Sequence, residues 1–211
     1  ADKEGLMAIV RPGPYICSEW EFGGLPWWIQ ADEDIEIRCM NKAYIKHFDR
    51  YLDRMCDEIR PLLCTNGGNV IMVQCENEFG SYVHQRQDIP LAEHRSYNAK
   101  IKQQLSDAGF NVRFFTSDGS WLFEGGSTPG ALPTANGESN IKVLKDCVDQ
   151  YHGGKGPYVV AEFYSGWLAH WAEPHPRLNA GALARQTELY MQNDVSINFY
   201  MVHGGTNFAF T

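Results

Sequence analysis

No stretch of this 211-residue sequence approaches the roughly 18 to 20 consecutive apolar residues that a membrane-spanning helix needs. No basic-then-apolar secretory segment opens it. The chain starts at Ala1 and enters a strand pattern almost at once, so it is expected to be an excerpt of a longer protein. Basic residues are in deficit, with 18 Lys and Arg against 26 Asp and Glu and a formal charge of -8. Such a surface repels phosphate backbones, and no nucleic-acid partner is expected. The six cysteines (Cys17, Cys39, Cys56, Cys64, Cys75, Cys147) contain no C-x-x-C pair and have no His at zinc-ligand spacing. They read mostly as small buried apolar residues. One disulfide among them stays open, and with it the redox compartment.

What is present is the composition of a globular domain, 44% hydrophobic and 21% charged. Its length suits one domain, read here as residues 1–211. Aromatic residues make up 13% of it, including six tryptophans. Trp20, Trp27 and Trp28 fall in one loop-rich stretch, and Trp167 and Trp171 in another. Their faces suit the C–H faces of sugar rings, although a single Trp is more often a core residue.

Apolar runs alternate with helical patterns along the chain. Leu6 to Val10 reads as a buried strand ending in Arg11-Pro12-Gly13-Pro14. Asn41 caps an amphipathic helix with Ile45, Phe48, Leu52, Met55 and Ile59 on its apolar face, stopped by Pro61. Further strands are expected at Val70–Val73, Val112–Thr116, Ala131–Ala135, Tyr158–Phe163 and Ser196–Val202. Helices are expected over Tyr97–Leu105, Ile141–Val148 (capped by Asn140) and Leu183–Met191. Continuous apolar strands separated by helices indicate a parallel sheet covered on both faces. The unusual polar residues cluster just after the strands, at Arg11-Pro12-Gly13, Glu76-Asn77-Glu78, Ser117-Asp118, Glu162-Phe163-Tyr164 and His203-Gly204-Gly205. Chemistry at the carboxyl ends of parallel strands is the arrangement of a (β/α)8 TIM barrel. A full barrel takes roughly 250 residues, so this chain is expected to fall one or two units short. A doubly wound sheet is the rival, but no Gly-rich phosphate turn follows the first strand.

Two carboxyl groups at the mouth of a barrel can cleave a glycosidic bond, one protonating the leaving oxygen and the other staying ionised. Glu162 ends one strand. Glu76 and Glu78 end another; period-2 alternation puts them on one face without choosing between them, and the more C-terminal Glu78 is expected nearer the mouth. For each of these glutamates the competing reading is a surface acid or a structural ion-pair partner.

Four segments resemble glycoside hydrolase family 35, the β-galactosidases. They are Arg11-Pro12-Gly13-Pro14-Tyr15-Ile16-Cys17-Ser18-Glu19-Trp20 with Gly23-Gly24-Leu25-Pro26; Val73-Gln74-Cys75-Glu76-Asn77-Glu78-Phe79-Gly80-Ser81-Tyr82; Glu162-Phe163-Tyr164-Ser165-Gly166-Trp167-Leu168 with His170-Trp171; and Asn198-Phe199-Tyr200-Met201 with Gly204-Gly205-Thr206-Asn207-Phe208-Ala209. The resemblance implies a TIM barrel present as roughly strands 3 to 8, with the first two strands and the accessory β-rich domains outside the chain. It implies Glu78 as general acid/base and Glu162 as nucleophile of a retaining exo-β-galactosidase. Tyr15, Cys17, Ser18, Glu19, Asn77, Tyr164 and Tyr200 are implied as substrate-binding residues, with Tyr164 donating to Glu162. With Glu162 ionised beside it, Glu78 is expected to hold its proton. No metal or organic cofactor is implied, the partner is a galactoside or oligosaccharide, and the location is extracytoplasmic. A related exo-β-glycosidase such as a β-glucosaminidase, or a non-catalytic sugar-binding barrel, are the alternatives.

Overall fold

In the computed structural model, which describes residues 1–203, the apolar runs form six strands: β1 (Ala8–Val10), β2 (Val70–Gln74), β3 (Arg113–Asp118), β4 (Leu132–Asn136), β5 (Tyr158–Tyr164) and β6 (Val195–Tyr200). Each pairs in parallel with the next, in chain order β1-β2-β3-β4-β5-β6. The helices between them are α1 (Lys42–Ile59), α2 (Phe79–Gln85), α3 (Leu91–Asp107), α4 (Phe123–Gly126), α5 (Ile141–Tyr151) and α6 (Ala180–Gln192). A doubly wound sheet would reverse its strand order at a switch point. Here the order never reverses, and the six parallel units form a curled part of a TIM barrel.

The helices form where local signals and an apolar stripe agree. Asn41 Oδ1 accepts the Tyr44 amide hydrogen at 3.0 Å, satisfying one of the donors left over at the start of α1. The buried stripe of α1 runs Tyr44, Phe48, Leu52, Cys56 at four-residue steps. Ile45 and Ile59 pack beside it as partly buried neighbours. Asn140 caps α5 by accepting from Lys142 and Val143, and Asn179 caps α6 by accepting from Ala182 at 2.9 Å. The α6 cap lies before the Leu183 start that periodicity suggests. Neither α2 nor the four-residue α4 shows as a helix in the sequence pattern.

The strands have two faces with different company. Phe115, Leu132 and Ala161 pack together with Met72 and Val159. Val160, Phe163 and Ala135 pack instead with Leu144 and Val148 of α5 and Tyr190 of α6. Val160 and Phe163 share that helix-facing cluster although they are three residues apart, and the β5–β6 register shifts between them. Such a bulge breaks the alternation of the strand and re-aims the side chains within it.

One expectation needs correction, and the disulfide left open by the sequence has an answer. The strand expected over Leu6–Val10 is shorter, and Leu6 and Met7 are exposed, because β1 pairs only with β2 among the described residues. No disulfide forms: all six cysteines are free, with Cys39, Cys56 and Cys75 buried and Cys64 exposed. Among the described residues no helix is long and apolar enough to cross a membrane. The Gly204-to-Ala209 segment lies outside the described residues.

Candidate active site

The chain leaves β2 at Gln74 and enters a turn in which Glu76 (φ 60°) and Glu78 (φ 45°) are both left-handed. Strand alternation therefore does not apply to either glutamate. Glu76 turns into the protein and is 2% exposed. Its carboxylate accepts from Arg38 Nη2 at 2.6 Å and Nε at 3.2 Å, from Tyr97 Oη at 2.9 Å and from the Asn77 amide at 2.9 Å. This is a structural ion pair. Glu78 turns the other way, where Asn136 Nδ2, at the end of β4, donates to its Oε1 at 2.9 Å.

Glu162 comes from inside the β5 bulge. Strict alternation from Val160 would give it the helix-facing side; the bulge gives that side to Phe163 instead. Arg11, just past β1, forms an ion pair with Glu162 Oε1. The same guanidinium donates from Nη2 to Asn77 Oδ1 at 3.1 Å and Ser117 Oγ at 3.4 Å, and from Nε to Gln74 Oε1. Tyr164 Oη donates to Glu162 Oε2 at 3.2 Å. Burial pushes the Glu162 carboxyl above its ordinary range, and the charge of Glu78 pushes the same way. Arg11 and the Tyr164 hydroxyl oppose that push. The upward push thus falls on the carboxyl that the sequence argument expects to be ionised.

One cleft of about 1050 Å³ takes in both Glu78 and Glu162. Of the residues singled out in the sequence, Glu78, Glu162, Cys17, Glu19, Asn77, Tyr164 and Tyr200 line it. Tyr15 and Ser18 do not. The Tyr15 ring lies 3.9 Å from the Arg38 guanidinium carbon and fills the space where a Cβ on Gly23 would stand. Cys17, Ser18 and Glu19 are consecutive left-handed residues (φ 60°, 50° and 47°), a turn closed by the Trp20 amide donating to the Cys17 carbonyl at 3.1 Å. Each such non-Gly residue costs about 1 to 2 kcal/mol, so this loop is strained around the carboxylate that it presents. Tyr200 Oη reaches Glu19 Oε2 at 3.5 Å. Trp167 and Trp171 also line the cleft, whereas Trp27 and Trp28 do not. Among the described residues no group of three or more His, Cys, Asp or Glu converges as metal ligands would.

Arg11 stands among the strand-end polar residues and Gln74 in a motif, each without an expected role, whereas Arg38 and Asn136 are not singled out in the sequence. Arg11 had a signal, since it directly follows an apolar strand. Asn136 had the same one at the end of β4. Arg38 had none, because it sits in an irregular stretch between two 3-10 turns and α1.

A curled part of an α/β barrel whose cleft gathers carboxylates from beyond two different strands, Glu78 and Glu162, is the arrangement of the barrel glycoside hydrolases. The family model described as Glycosyl hydrolases family 35 matches residues 1–211, and the chain belongs to that family. It is 37% identical over 213 residues to a human protein named beta-galactosidase, and 36% identical over 217 residues to a beta-galactosidase of Xanthomonas manihotis. A beta-galactosidase-1-like protein of Mus musculus is 35% identical over 212 residues. These alignments cover 100% of this chain but 30%, 34% and 32% of the relatives, so the chain spans about a third of their length. A solved beta-glucanase from Saccharophagus degradans aligns over 78% of this chain and 54% of its own, with 16% identity and a TM-score of 0.47. That likeness is too loose to carry an argument.

Proposed function

We propose that the protein is a retaining exo-β-galactosidase that removes terminal β-D-galactosyl residues, with Glu162 as nucleophile and Glu78 as general acid/base. The observation that carries the reading is the convergence of these two carboxylates on one cleft in a family 35 chain, with different donors on each. Arg11 and Tyr164 favour the ionised form of Glu162. Glu78 has the neutral Asn136 amide beside it.

In the first step the Glu162 carboxylate attacks the anomeric carbon. The bond to the aglycone oxygen breaks, and that oxygen takes the proton of Glu78. A galactosyl ester of Glu162 forms. Water then attacks the same carbon, gives its proton to Glu78, and the ester bond breaks. Asn77 Oδ1 is engaged by Arg11 and by Gln74 Nε2 (2.9 Å), which leaves the amide NH2 to donate to the sugar near its 2-hydroxyl. Glu19, Cys17 and Tyr200 complete the sugar side of the cleft, and Tyr15 lies outside the cleft lining, against Arg38. An extracytoplasmic location belongs to the same proposal and rests on the family resemblance.

The test is hydrolysis of an aryl β-galactoside beside the matching β-glucoside and β-glucosaminide by the full-length protein. Turnover of the galactoside at least tenfold above the other two supports the reading. Preference for the glucosaminide would move the protein to the related exo-glycosidase. No turnover of any of them by folded protein would leave a sugar-binding barrel.

A further inference from the structure

Glu76 and Arg38 bury opposite charges directly behind the turn that carries Glu78, in a place where the reaction itself needs no charge. Arg38 is 6% exposed. Removing two ions from water is costly and is offset only when good geometry and further hydrogen bonds satisfy both partners. Here they do. Besides its two bonds to Glu76, Arg38 Nη2 donates to the Asn77 carbonyl at 2.6 Å. Its guanidinium lies over the rings of Tyr15 (3.9 Å), Tyr82 (4.8 Å) and Phe79 (5.4 Å).

The turn between them is held at nearly every polar backbone group. The Glu76 amide donates to the Gly13 carbonyl at 3.3 Å, and the Glu76 carbonyl accepts from Gln74 Nε2 at 2.6 Å. The Asn77 amide donates to the Glu76 carboxylate, and the Asn77 carbonyl accepts from Arg38. The Glu78 amide donates to the Ser117 carbonyl at 3.0 Å. Left-handed conformations at Glu76 and Glu78 are unfavourable for residues with side chains and persist only where the surroundings over-determine them. Among the described residues, the Arg38 guanidinium alone grips both the Glu76 side chain and the Asn77 main-chain carbonyl.

We infer that Arg38 and Glu76 are a positioning pair for the general acid: they lock the Glu76-Asn77-Glu78 turn in its left-handed shape and thereby aim the Glu78 carboxyl at the leaving oxygen. Neither touches the cleft. Tyr97, through its hydroxyl on Glu76 Oε1, is the third member. The inference rests on the reading of Glu78 as the acid. It predicts a defect specific to proton donation. Lysine at position 38 keeps the charge, but its side chain ends one atom short of Nη2, the nitrogen that holds both Glu76 Oε2 and the Asn77 carbonyl, and it has no counterpart of the Nε bond to Glu76 Oε1.

The experiment compares kcat/KM, which reports the first chemical step, for phenyl and 2,4-dinitrophenyl β-galactoside in the full-length protein. Phenol leaves only with a proton; dinitrophenol leaves without one. Glu78→Ala gives the reference pattern for loss of the acid. Arg38→Lys is expected to lower the phenyl value by about 10- to 100-fold and the dinitrophenyl value by less than about threefold. Tyr97→Phe, which removes one hydroxyl and keeps the ring, is expected to show a smaller loss with the same bias. Equal losses on both substrates would mean a smaller folded fraction only, and would overturn the inference. So would wild-type values on both. If the wild type hydrolyses neither galactoside, it is the functional reading that fails. The positioning claim is then decided by the crystal structure of Arg38→Lys. A broken Glu78–Asn136 contact supports it, and an unmoved Glu78 overturns it.

Discussion

Arg11 sits between β1 and the cleft, and its guanidinium touches Gln74, Asn77, Ser117 and Glu162 at once. Because burial raises the Glu162 carboxyl and Arg11 opposes it, deleting the guanidinium should raise that carboxyl further. Activity needs ionised Glu162, so the acid limb of the kcat/KM profile of Arg11→Met should move to higher pH. Activity at neutral pH should fall on the order of a hundredfold. An acid limb that stays in place or moves down would contradict the assignment. Tyr164→Phe should move the limb in the same direction by less, since its hydroxyl is the smallest of the named influences. At this scale Glu78 and Glu162 were legible as candidates, because a glutamate at or just past the end of an apolar strand is conspicuous. Glu78 is expected nearer the mouth than Glu76, but what turns Glu76 inward was not legible, since it depends on left-handed backbone and on Arg38, a residue distant in sequence.

Elements differ in how much of their cause is local. A cap and a stripe at four-residue steps specify α1 and α5, so both could be read from the chain. The seven-residue α2 starts at a left-handed Glu78 with no side-chain cap, and tertiary contacts hold it instead. Asp118, fully buried at the end of β3, accepts the Gly80 amide hydrogen at 2.7 Å, and a Cβ on Gly126 would stand 2.1 Å from its Oδ2. The β5 bulge likewise has no local signature, because it is a matter of pairing. Asn140→Ala should cost about 1 kcal/mol, seen as a lower midpoint in urea. Burial raises the Asp118 carboxyl well above its ordinary value. The unfolded chain therefore ionises Asp118 first, and this group's contribution to stability declines as pH rises above the ordinary carboxyl range. Asp118→Asn should lack that decline. Its stability relative to wild type should improve between pH 4.5 and 7 in paired denaturation curves, and a constant difference would contradict the buried-acid account.

The whole sheet has two edge strands among the described residues, β1 and β6. Leu6, Met7 and Ile9 are exposed at one, and Phe199, Met201 and Val202 at the other. Unpaired edges with apolar side chains favour self-association. Expressed alone, the 211-residue chain should therefore elute as oligomers or aggregate, and a monodisperse, cooperatively unfolding monomer would refute this. The winding was legible in the sequence because parallel strands separated by helices leave few topologies. The cleft was legible only through its motifs, since it exists only once β1 to β6 have brought Arg11, Glu78 and Glu162 together. The most direct test of the central claim is the Glu162→Gly form of the full-length protein, given an activated aryl β-galactoside with and without azide. The account predicts almost no turnover without azide, and with it recovery of activity that yields the inverted α-galactosyl azide. Undiminished hydrolysis without azide, or a β-azide as the only product, would contradict Glu162 as the nucleophile.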